Sequence, residues 1–172
     1  MASDQTVVAG IAIPSADPVF LGVVAIHVAL ALVCVVTGAV AMLSRKQPRR
    51  HPRFGTVCYW SLAGVFVTAS ALALVRWSSD YPLLLLGAGA FVAATIGRQA
   101  RRRRWPGWAR IHVTGMGASY VLMLTAFYVD NGKNLPVWRD LPVIAYWLAP
   151  TIVGAPVIAW ALARHPLVRA ST

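Results

Sequence analysis

The chain has 172 residues, 58% of them hydrophobic and only 12% charged, with a mean hydropathy of +0.64. A soluble domain is ordinarily about 45–50% apolar and about 25% charged, so the composition excludes a disordered chain and argues against a soluble one. The formal net charge of +11 comes from 16 Lys+Arg against 5 acids, all of them Asp; beside long uncharged runs, what matters is where those charges sit.

In chain order, the apolar stretch from Val7 to Ile13 is too short to span a bilayer and is closed by Pro14 and Pro18. It carries no Lys or Arg, so it is not a secretory signal, and residues 1–18 are expected to form an extracytoplasmic tail. Uncharged runs follow at 19–43, 54–75, 81–97, 111–129 and 141–163. A helix needs roughly 20 apolar residues to cross about 30 Å of hydrocarbon, with a range of about 17–25. All five runs meet this, the third at its lower limit. Backbone in lipid has to satisfy its own hydrogen bonds, so each run is predicted to be a helix. The expected fold is an all-α bundle of five transmembrane helices (19–163) with a cytoplasmic tail at 164–172.

The charges separate along this map. Arg45, Lys46, Arg49, Arg50 and Arg53 lie between the first two runs. Arg98, the arginines at 101–104 and Arg110 lie between the third and fourth, and Arg164 and Arg169 follow the fifth. The alternate side holds only Arg76, Lys133 and Arg139, with all the acids: Asp4, Asp17, Asp80, Asp130 and Asp140. The positive-inside rule then puts the N-terminus outside and the C-terminus in the cytoplasm. The basic loops are expected to meet anionic lipid headgroups, not nucleic acid. Trp77, Tyr81, Trp105, Trp108, Trp138 and Trp160 fall at run ends, as interfacial aromatics do. Cys34 is expected mid-membrane and Cys58 near the cytoplasmic face, at different depths, so no disulfide is predicted and both read as packing residues.

Few ionisable groups remain within the spans, which makes His27 informative, because an ionisable residue in lipid is a functional hypothesis. It lies about 12 Å below the outer end of its helix by helix rise. Its depth-mates include Tyr128, Asp130 and Tyr146, which together with it would form a proton or ligand site; Asp80 and Tyr81 are also near. The plain alternative is a neutral imidazole bonded to a neighbouring hydroxyl or carbonyl. His51 and His112 start the second and fourth spans at one cytoplasmic depth. Two imidazoles at one level are what a bis-histidine haem or a shared metal requires, and Arg53 and Arg110 beside them suit propionates, a phosphate or a quinone carbonyl. Interfacial histidines among headgroups are the plain alternative.

Ser61, Gly64 and Thr68 on the second span, and Gly115 and Ser119 on the fourth, read as small-residue packing faces. Pro150 and Pro156 interrupt the last span, freeing the carbonyls of Tyr146 and Ile152. Phosphate-loop, nucleophile-elbow, zinc-protease and covalent-haem motifs are all absent from the sequence.

The order of motifs, a His in the first span, then HPRFGTVCYW, then RIHVTGMGASYVLMLTAFYVDNG, then a proline-rich last span, resembles the bacterial membrane-protein family catalogued as domain of unknown function 2306. His27, His51, Gly55, His112, Ser119 and Tyr120 stand at positions similar to the family's recurring ones. The resemblance implies a small polytopic protein of the bacterial cytoplasmic membrane and carries no established activity.

The leading expectation is a redox-linked protein binding non-covalent b-type haem, quinone or metal through His51 and His112, with Arg53 and Arg110, and a second site at His27. The alternatives are a non-enzymatic scaffold for a membrane complex, and a small proton-coupled transporter using His27. A membrane-protein partner or a homodimer fits either.

Overall fold

The structure, a computed structural model, describes residues 6–8, 11–13, 17–44, 50–75, 77–164 and 168. Asp4, Arg45, Lys46, Arg49, Arg76, His165 and Arg169, which entered the charge map and motif reading, lie outside the described residues.

The described part of the tail is a short hairpin. Strands β1 (Thr6–Val8) and β2 (Ile11–Ile13) pair antiparallel, with Thr6 opposite Ile13 and Val8 opposite Ile11. β-branched residues predominate in both, and such side chains favour the pleated backbone.

Five helices follow: α1 (Pro18–Leu43), α2 (Arg50–Val75), α3 (Trp77–Arg103), α4 (Trp108–Asn131) and α5 (Val143–Arg164). All five are long and apolar enough to cross a membrane, so the chain is built as a multi-pass membrane protein. Leu32 and Val36 on α1, Val67 on α2, and Ile152 and Val153 on α5 are exposed. Lipid, unlike water, covers such a surface without penalty.

The helix ends follow local chemistry. Asp17 caps α1, its carboxylate accepting from Val19 N–H at 2.9 Å, and Pro18 opens the helix with its φ already suited. α2 starts four residues before its uncharged run. Arginine is a good helix former, and Pro52 lies in the first turn, where no backbone donor is needed. α3 overruns its apolar core at both ends, from Trp77 through Arg103, because hydropathy reports what lipid accepts and not where the backbone stops coiling. It stops at a turn in which Arg104 (φ 53°) and Gly107 (φ 66°) are left-handed. α5 begins two residues late, since 3-10 turns at Gly132–Asn134 and Trp138–Asp140 occupy the connection. α5 stays helical through Pro150 and Pro156.

The chain divides into two compact units, Met1–Tyr81 and Pro82–Thr172. In the first, α1 packs along α2 in antiparallel register: His27 meets Thr68, Leu30 lies over Gly64, Cys34 meets Cys58 and Ala41 meets His51. In the second, α4 packs on α5 and on α3. Gly115 and Gly97 set the α3–α4 approach: a Cβ on Gly115 would lie 2.7 Å from Ala93 O and 3.0 Å from Gly97 Cα. Only a residue without a side chain permits that closeness. Gly117 and Gly154 likewise receive Ile158 and Val121 across the α4–α5 seam.

Candidate functional site

Of the predicted site residues, His27, His51 and Arg53 belong to the first unit, and Arg110, His112, Tyr128, Asp130 and Tyr146 to the second. Each of the three histidines is half-buried, and each makes a bond through Nδ1.

His51 Nδ1 is 2.8 Å from Ala41 O. α1 ends at Leu43, and Ser44 N–H already serves Val40 O, so Ala41 supplies one of the terminal carbonyls that a helix cannot satisfy internally. The imidazole caps it. His112 Nδ1 is 3.0 Å from Gly97 O. That carbonyl lies inside α3 and takes His112 on its second lone pair, an approach opened by the glycine contact with α4. A carbonyl can only accept, so Nδ1 carries the proton in both residues. In the neutral ring Nε2 then holds the lone pair. This is the tautomer of a metal-ligating histidine, whose other nitrogen is commonly fixed by a carbonyl.

His27 Nδ1 is 2.9 Å from Thr68 Oγ1. Thr68 Oγ1 also lies 2.8 Å from Gly64 O and 3.0 Å from Val65 O. Its one proton goes to those carbonyls, so the hydroxyl accepts from His27 Nδ1–H. His27 thus has the hydroxyl partner that the plain alternative requires.

Of the other predicted residues, Tyr128, Asp130 and Tyr146 gather at the α4–α5 connection. Trp138 stacks on Tyr128 with centroids 4.1 Å apart. Buried Tyr146 donates its hydroxyl to Trp138 O at 3.0 Å, with its ring edge against Gly132. Asp130 is exposed and accepts from the Asn131 side chain at 3.2 Å. Tyr128 and Tyr146 are therefore brought together around Trp138 as a clasp on the α4–α5 connection. Arg53 is exposed, and Arg110 donates to Val168 O at 3.5 Å.

The cysteines correct the sequence reading. Cys34 Sγ and Cys58 Sγ are 3.7 Å apart, both buried. They share a level because α2 starts at Arg50, not at Phe54, which carries Cys58 more than two turns into its helix. Thr68 was legible only as a packing residue. Counting along both helices from the α1–α2 connection would have matched it with His27. Among the described residues, no group of three or more His, Cys, Asp or Glu is placed to hold a metal ion.

No protein-family model, no curated protein and no solved structure matches the chain.

Proposed function

We propose that the chain is a redox-linked protein of the bacterial cytoplasmic membrane, N-terminus outside and C-terminus inside, that binds a b-type haem, a quinone or a metal through His51 and His112. On the motifs carrying its histidines we place it with the domain of unknown function 2306 proteins. The observation that carries the reading is the shared bond: two half-buried imidazoles each donate Nδ1–H to a backbone carbonyl, the second contact that ligating histidines commonly make. The residue types would suit a haem: His51 and His112 would supply nitrogen ligands, and the Arg53 and Arg110 cations would pair with its propionates. When bound, such a group supplies one-electron chemistry, which the protein tunes through ligand identity and burial. The charge asymmetry of the loops supports the orientation.

Of the small residues behind the scaffold alternative, Gly64 packs under Leu30 and Gly115 against Gly97 within the chain.

The test is the visible spectrum of the protein purified in mild detergent, after expression with haem precursor, before and after dithionite, with metal analysis of the same sample. A Soret band with reduction-sensitive α and β bands is expected. His51→Ala and His112→Ala should each abolish the six-coordinate spectrum, while Thr68→Ala leaves it intact. Absence of chromophore, metal and extractable quinone together sinks the reading.

A further inference from the structure

The cofactor reading leaves unused the only two cysteines in the chain. Cys34 on α1 and Cys58 on α2 are 1% and 7% exposed. Their sulfurs are 3.7 Å apart, and the Cys34 thiol also lies 3.5 Å from the Cys58 carbonyl. Cys34 is nine residues before the end of α1, and Cys58 eight after the start of α2. At about 1.5 Å per residue both lie roughly 12–14 Å from those helix ends, level with each other and inside the uncharged runs of their helices, Cys58 four residues past Phe54. The antiparallel register holds them there, with His27–Thr68 on one side and His51–Ala41 on the other.

Two thiols in van der Waals contact on neighbouring helices are placed to form a bond. A disulfide needs its sulfurs at about 2.05 Å. The remaining approach is within what side-chain rotation and a small helix shift supply. Charged, water-soluble thiols and disulfides do not reach a pair at this depth, because their transfer into hydrocarbon is too costly. An oxidant for this pair has to be neutral and dissolved in the bilayer. Gly55, three residues before Cys58, faces open space: a Cβ there would meet no atom within 4 Å.

We infer that Cys34 and Cys58 form an intramembrane dithiol site for a lipid-soluble two-electron oxidant of the benzoquinone class. In the step, both S–H bonds break and one S–S bond forms between Cys34 and Cys58. Two electrons and two protons pass to the quinone, which leaves as the quinol. The product ties α1 to α2 covalently. The site does not depend on haem or metal at His51 and His112.

The full chain, pre-reduced and freed of reductant in liposomes, is incubated with decylubiquinone, whose fully substituted ring disfavours thiol addition. It is then quenched in acid, denatured and alkylated with N-ethylmaleimide for intact mass. The expected result is loss of both alkylation sites in most of the chains, their return after dithiothreitol, and one quinol formed per chain. Cys34→Ser and Cys58→Ser should each keep their remaining thiol alkylatable and form no quinol. The wild-type arm decides the matter even if a variant fails to fold. The inference is overturned if both thiols still alkylate after quinone, if a quinone adduct appears on one cysteine, or if hydrogen peroxide oxidises the pair and the quinone does not. His112→Ala, which removes a proposed cofactor ligand outside the α1–α2 contacts, should leave the quinone result unchanged, which separates this outcome from the fate of the cofactor reading.

Discussion

The α1–α2 pair and the unit built from Pro82 onward hold their helices together by different mixtures of the same means. Along α1–α2, Leu30 lies over Gly64, and three polar contacts run beside it: imidazole on hydroxyl, thiol on thiol, imidazole on an orphan carbonyl. In the second unit His112 on Gly97 O is a polar contact of the same kind, and close approach at glycine does more. Glycines let α3 and α4 touch backbone to backbone, Ile158 and Val121 fill the α4–α5 notches, and an aromatic clasp closes the connection. The difference matters because a polar group on a separated helix in lipid finds other partners, which keeps an interhelical hydrogen bond to about 0.6 kcal/mol on average. A backbone contact at glycine has no such substitute. Stability should therefore be more sensitive to substitution at the glycine contacts of the second unit than at the polar contacts of the first.

Gly115→Val gives the largest expected effect. Its branches have no space between Ala93 O and Gly97, and overpacking of this kind costs about 1–3 kcal/mol, read as a lower unfolding midpoint in mixed-detergent titration. A midpoint unchanged from wild type would break the comparison on its stronger side. Tyr146→Phe keeps the ring against Gly132 and removes only the bond to Trp138 O, for an expected loss of about 1 kcal/mol in the same titration. A loss as large as that of Gly115→Val would mean that the clasp, not the glycine seam, dominates this unit. The smallest effect is expected from the double-mutant cycle of His27→Leu and Thr68→Ala, with a coupling of about 0.6 kcal/mol. A coupling several times larger would erase the distinction between the two units.

The five spans were legible because apolar run length maps directly onto bilayer thickness. Helix ends were less so. The arginines at 101–103 stay helical although they lie beyond the uncharged run that ends at Gly97, and the early start of α2 lies in a charged stretch. That start decided the cysteines: moving it from Phe54 to Arg50 turns two unrelated packing residues into a facing pair. The tautomers of His51 and His112 could not be read from spacing, since they depend on which carbonyl each ring reaches, Ala41 across a connection and Gly97 across a helix seam. For His27, depth alone offered several partners, and the register with α2 selects Thr68 for Nδ1.

The turn at 104–107 bears on biosynthesis. Only four residues separate the end of α3 from the start of α4, and even fully extended they reach about 14 Å, less than half the thickness of the hydrocarbon. The connection therefore stays at one face of the bilayer, and α3 and α4 are held as antiparallel neighbours from the moment both have inserted.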